Sequence, residues 1–150
     1  MTPKAVTVTA NDNKKVYGAA DPELTAKVEG TLGTDTVAYE VARAEGEDVG
    51  TYTITASGEA EQGNYTVTYK PGSFEITKAE TLSVEGKNYK DTYDGLSHGE
   101  AAEANVTDGT TVYYSTDGGE NWGTEVPQIT NVGKVTVRVK AENANYVTAT

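Results

Sequence analysis

The chain has 150 residues, 12 of them basic and 23 acidic, a net charge of −11, no cysteine and one histidine. A surface this acidic repels phosphate backbones and anionic lipid, so no nucleic-acid partner is expected. The lack of cysteine removes disulfides, thiolate metal sites and thiol catalysis, and a lone His98 leaves no multi-histidine metal centre or proton relay.

Period-2 alternation runs through the first half in chain order. Val6 and Val8 alternate with Thr7 and Thr9, then Leu24, Ala26 and Val28 with Thr25 and Lys27. Val37, Tyr39 and Val41 follow, then Tyr52, Ile54 and Ala56, then Tyr65, Val67 and Tyr69, then Phe74 and Ile76. Turn chemistry separates the runs at Asn11-Asp12-Asn13, Gly18, Asp21-Pro22, Gly30, Gly33, Gly46, Ser57-Gly58, Gly63-Asn64 and Pro71-Gly72. Short strands at this spacing predict an all-β sandwich. Leu, Ile, Val and Phe total only 25 residues, low for a folded chain of high net charge. Thr supplies 24 residues and Tyr 10, and both are strand formers that fill a half-buried pleat. Only 99–105 has helix-friendly composition, and it is too short to hold a helix alone. No apolar run approaches the roughly 20 residues that cross a bilayer, so no membrane insertion of this segment is expected.

The second half repeats the first. Val6, Val8 and Tyr17 fall over Leu82, Val84 and Tyr93 at an offset of 76. Asp48-Val49-Gly50 falls over Asn131-Val132-Gly133, and Asn64-Tyr65 over Asn145-Tyr146, at offsets of 83 and 81. Two domains are therefore expected, 1–79 and 80–150. Their short junction around Lys78-Ala79-Glu80, without a Pro, Gly or Ser linker, is expected to restrict bending. Thirteen residues follow Tyr65 up to Lys78 but only four follow Tyr146, so the second domain is expected to lack its last strand, supplied in the parent protein by residues beyond this segment.

The first half resembles the MBG repeat, YGX type, of bacterial cell-surface proteins. The likeness rests on Tyr17-Gly18, Asp21-Pro22-Glu23-Leu24-Thr25, Gly30-Thr31-Leu32 with Asp35, Val49-Gly50-Thr51-Tyr52-Thr53-Ile54, Asn64-Tyr65-Thr66-Val67, and Gly72-Ser73-Phe74-Glu75-Ile76-Thr77-Lys78. The second half is similar, more loosely, to related bacterial Ig-like repeats through Tyr93-Asp94-Gly95, Tyr113 to Gly119, Trp122 and Asn131-Val132-Gly133. Together these readings predict two tandem Ig-like antiparallel β-sandwiches. The resemblance implies a non-catalytic stalk, spacer or adhesion segment of a secreted surface protein, of Gram-positive type, with neighbouring repeats and a host glycan or protein as partners. No cofactor and no metal is expected.

Several patterns invite a chemical role. Ser115-Thr116-Asp117-Gly118-Gly119-Glu120-Asn121-Trp122 fits Ser-x-Asp-x-Gly-x-x-Trp, the hairpin that recurs in sialidase propellers. A propeller needs several blades, so the structural hairpin is the stronger reading. Trp122 and Tyr113, with Asp117 beside them, are the candidate sugar-stacking or ligand-binding residues, against a default of core and turn packing. The acidic stretch Glu45-Gly46-Glu47-Asp48 reads as solvated turn carboxylates. His98, beside Ser97 in a loop, reads as an exposed histidine, since triads are assembled in space. Two rivals to the stalk remain: an adhesin using the Trp122 loop, and an accessory fragment of a glycosidase.

Overall fold

In the computed structural model, which describes residues 1–150, the chain is all-β and contains no helix. It divides into two compact units, Met1–Thr77 and Lys78–Thr150.

The first unit has eight strands: β1 (Lys4–Ala10), β2 (Asn13–Val16), β3 (Ala26–Glu29), β4 (Glu40–Arg43), β5 (Gly50–Ser57), β6 (Glu61–Gln62), β7 (Tyr65–Lys70) and β8 (Gly72–Thr77). They form two four-stranded sheets, β3-β1-β7-β6 and β2-β8-β5-β4. The alternation dictates the core. Val6, Val8 and Ala10 from β1 and Tyr65 and Val67 from β7 line one sheet. Ile54 and Ala56 from β5 and Phe74 and Ile76 from β8 line the other, and Val37 joins from the segment before β4. Their odd-numbered and even-numbered neighbours point outward, as a pleat requires. Each fully enclosed Val, Ile or Phe contributes about 1.5–3 kcal/mol by leaving water.

Not every pairing is antiparallel. β1 runs parallel to β7, and β2 runs parallel to β8. The reason is that both ends of the unit change sheets. The chain steps from β1 to β2 through Asn11-Asp12, and from β7 to β8 through Pro71, so the last strands lie beside the first in the same direction. Asp12 secures the step by accepting the Ser73 amide at 2.8 Å. Gly72 is needed there for space. A Cβ on it would meet the Ala10 carbonyl oxygen at 2.5 Å, a backbone atom that cannot swing away.

The second unit has β9 (Val84–Glu85), β10 (Glu103–Ala104), β11 (Thr110–Ser115), β12 (Arg138–Asn143) and β13 (Tyr146–Ala149). A three-stranded sheet, β11-β12-β13, is accompanied by the two-stranded β10-β9. Ala79, Leu82, Tyr114 and Ala141 are its buried apolar residues. The repeat holds at one place: β13 begins at Tyr146 after Asn145, as β7 begins at Tyr65 after Asn64. Elsewhere the structure differs from the overlay. β9 covers two residues where β1 covers seven, because Gly86, Asn88 and Asp91 interrupt the alternation. Tyr93 is exposed, whereas Tyr17 packs against the core of its own unit. Val132 is exposed, and the strand after it starts only at Arg138, not at Gly133.

Candidate functional site

The three residues singled out for binding gather around one hairpin of the second unit. Its turn is built by Asp117. The carboxylate accepts the Ser115 hydroxyl at 2.6 Å, the Glu120 and Asn121 amides at 3.0 and 2.9 Å, and the Asn121 side-chain amide at 2.7 Å. The Ser115 hydroxyl in turn accepts the Gly119 amide at 3.0 Å. Gly118 and Gly119 take φ of 80° and 96°, the left-handed region that a side chain would strain. The turn amide of Asn121, followed by the Ser115 hydroxyl and the Asn121 side chain, holds the Asp117 carboxyl well below the usual carboxylate range. Tyr114 and Gly123 then exchange both backbone hydrogen bonds, at 2.7 and 3.0 Å, and close the loop.

Trp122 is anchored at its edge, donating its indole N–H to the Gly119 carbonyl at 3.0 Å. The register of β11 and β12 puts Lys140 directly opposite Tyr113. The Lys140 ammonium lies 5.2 Å from the Tyr113 ring centroid and 4.7 Å from that of Trp122, so both rings serve one cation. Lys140 also pairs with Glu142 at 3.2 Å. Trp122 and Tyr113, candidate stacking residues in the sequence against a default of core and turn packing, come together here around a cation. Beside Trp122 lies an open depression of about 530 Å³, lined by Asp117, Asn121, Trp122, Glu125 and Gln128 among others. Tyr114, Val126 and Pro127 add apolar surface to these hydrogen-bonding groups.

His98 is not the exposed loop residue expected. It is half-buried, stacks on Tyr89 with ring centroids 4.6 Å apart, and meets the Asp94 carboxylate at 2.8 and 2.9 Å. Its backbone bridges to Ile129. Ser97 turns away and donates its hydroxyl to Gln128 at 3.2 Å, so serine and histidine form no nucleophile–base pair. No three His, Cys, Asp or Glu side chains gather as a metal-holding group.

Sequence reading missed a second cluster, in the first unit. The Lys15 ammonium meets Asp21 at 2.7 Å and Glu47 at 2.6 Å. The Arg43 guanidinium meets Asp21 at 2.8 Å and Glu47 at 2.8 Å, while lying 4.9 Å from the Phe74 ring centroid and 5.6 Å from that of Tyr52. Both cations are nearly covered, with side chains 5% and 8% exposed, and both carboxylates face water. The Arg43 and Lys15 hydrogen bonds press the Asp21 carboxyl well below its ordinary range, and Lys15 then Arg43 lower Glu47. Glu47 is thus no idle turn carboxylate. The available signal was weak: two cations, Lys15 and Arg43, in phase with the inward-packing Tyr17 and Val41.

The motif residues of the first unit are tied to one another. The Tyr65 hydroxyl donates to Asp35 and accepts the Leu32 amide at 3.1 Å. The Tyr52 hydroxyl donates to the Asp48 carbonyl at 2.6 Å, and the Tyr17 amide donates to the Thr77 carbonyl at 2.8 Å. Residues 6–75 match the MBG domain (YGX type), so the resemblance carried by these residues holds for the first unit. No curated protein and no solved structure matches the chain.

Proposed function

We propose that this chain is a non-catalytic spacer segment of a secreted bacterial surface protein, displayed outside the cell with neighbouring repeats as its flanking contacts. The observation that supports this reading is the fate of the motif's polar groups. Asp21, Asp35, Tyr52 and Tyr65 all hydrogen-bond within their own unit. A motif whose chemistry is consumed internally preserves a fold, not a reaction. The MBG match over residues 6–75 agrees, since that domain is a repeat module of surface proteins.

The depression beside Trp122 favours one second reading, an adhesin that takes a glycan or a protein loop. Lys140 over the Trp122 and Tyr113 rings weighs against it, because a sugar stacking there must first displace a cation. A glycan and matrix-protein array probed with the chain and with Trp122→Ala separates the two. The spacer reading expects no specific signal from either protein. Binding by the parent chain that Trp122→Ala abolishes would establish the adhesin. Hydrolysis of any member of a fluorogenic glycoside panel would instead support the glycosidase fragment. Antibody labelling of intact cells producing the parent protein checks surface display.

A further inference from the structure

We propose that the two ends of the first unit form a shear clamp, which makes this unit a load-bearing element along the chain. The idea rests on the spacer reading for its purpose but on the topology for its physics. Lys4 to Thr9 pair with Tyr65 to Lys70 in six parallel register pairs. Asn13 to Val16 pair with Phe74 to Thr77 in four more. Both sets keep the same offset, 61 residues, although the chain changes sheets between them. The entry segment 4–16 and the exit segment 65–77 therefore form one continuous parallel staple that spans both sheets.

Other contacts extend the staple to its ends and across its middle. The Lys4 amide donates to the Asn64 carbonyl at 2.9 Å at one end. The Tyr17 amide donates to the Thr77 carbonyl at 2.8 Å at the other. At the sheet change Asp12 accepts the Ser73 amide, and Gly72 lets the two backbones meet. Val6, Val8, Val67, Phe74 and Ile76 from the same two segments are buried in the core, so sliding the segments also unseats the apolar packing.

Direction is what gives the pairing its mechanical meaning. Tension along the polypeptide enters at the Lys4 end and leaves at the Thr77 end. In a parallel pair those ends lie at opposite extremes, so the strands are pulled past each other along their length. The evenly spaced bonds of the parallel ladder share the load and must fail together. An antiparallel terminal pair would present both ends at one side and open bond by bond. Forced unfolding is governed by the unfolding barrier, not by equilibrium stability, so geometry can set strength independently of ΔG.

The test pulls the same chain in two directions. The chain has no native cysteine, so introduced thiols are unique handles. Thr2→Cys with Lys78→Cys loads the staple in shear. Thr2→Cys with Asn64→Cys loads it at one extreme and peels it. All three positions are exposed, so both full-length variants should keep the parent urea midpoint. Neither pair loads the second unit. Single-molecule force spectroscopy should give a several-fold higher unfolding force in shear than in peeling. Equal forces, or a weaker shear direction, would overturn the clamp. Because the measurement uses the isolated chain, it stands or falls apart from the labelling of intact cells that tests surface display.

Discussion

Replacing Phe74 with Ala should remove a large part of the first unit's stability. Phe74 is 0% exposed and the largest of the fully enclosed side chains. It sits in β8 across from Tyr52 of β5 on one side and Asn13 of β2 on the other. A buried Phe→Ala change costs about 3–5 kcal/mol, lost transfer energy plus the cavity left behind. A unit spanning Met1–Thr77 holds roughly 4–12 kcal/mol at the usual stability per residue, so the change removes between a quarter and all of it. Relaxation is limited on the sheet side, where Ile54, Ile76 and Val6 are themselves fully enclosed. Arg43 covers the ring from outside and stays fixed by Asp21 and Glu47, so it cannot drop in to fill the space. Phe74→Leu, which leaves a smaller void, should cost roughly 1 kcal/mol. Urea unfolding followed by far-UV circular dichroism gives the magnitudes, and hydrogen exchange by peptide locates the loss within residues 1–77. A Phe74→Ala loss below about 1 kcal/mol would refute the two-sheet core centred on this ring.

Gly72→Ala should destabilise by about 1–3 kcal/mol, because its Cβ meets backbone atoms of Ala10 and Asn11 at 2.5–3.2 Å; an unchanged urea midpoint would contradict the close approach. The Lys15–Asp21–Arg43–Glu47 cluster gives a signed pH dependence. Asp21 and Glu47 are depressed in the folded state, so their stabilisation is present above the ordinary carboxylate pKa of about 4 and is lost as pH falls below it. Lys15 is raised, so its share is present below the usual lysine value and fades as pH climbs past it. Thermal melts across pH should show an acid limb that Asp21→Asn flattens, along with a lower midpoint at neutral pH; an Asp21→Asn profile parallel to the parent's would count against the cluster. Asp117→Ala should free the hairpin, shifting the emission of the single tryptophan, Trp122, to the red and weakening its near-ultraviolet dichroism. Emission identical to the parent's would mean that Asp117 does not hold the loop.

The sequence made the first unit's interior legible where alternation falls inside a strand; Tyr39, in phase with Val37 and Val41 but ahead of β4, is exposed instead. Val6-Thr7-Val8, Tyr52 to Ala56 and Phe74-Glu75-Ile76 each show which residues face in, and those residues form the core. The Ser115–Trp122 hairpin was equally readable, since Asp117, Gly118 and Gly119 perform backbone roles that few other residues can. Two things were not readable. The charge cluster joins residues from β2, β4 and the loops after them, and nothing local in Lys15 or Arg43 announces a partner 32 residues ahead in one case and 22 behind in the other. The cation between Tyr113 and Trp122 depends on the β11–β12 register, which is a long-range fact.

The contrast between the two units says what a repeat pattern can and cannot transmit. Residues 133–137 of the second unit alternate Gly, Lys, Val, Thr and Val much as β5 alternates after Val49-Gly50. Alternation only permits a strand; a neighbouring strand to pair with makes one, because backbone N–H and C=O groups taken from water must find a partner. β5 lies between β8 and β4. Residues 133–137 are flanked by no strand, Val135 and Val137 stay exposed, and regular pairing starts only at Arg138, where β11 lies alongside. The same reasoning explains why the first unit's ends matter more than its middle. Strand β2 is short and its one strand neighbour is β8, sixty-one residues away in the chain, so its order depends on the whole unit having closed. A unit whose first and last segments hold each other is one in which entry and exit are a single structural feature, and that is the property a chain under tension would exploit.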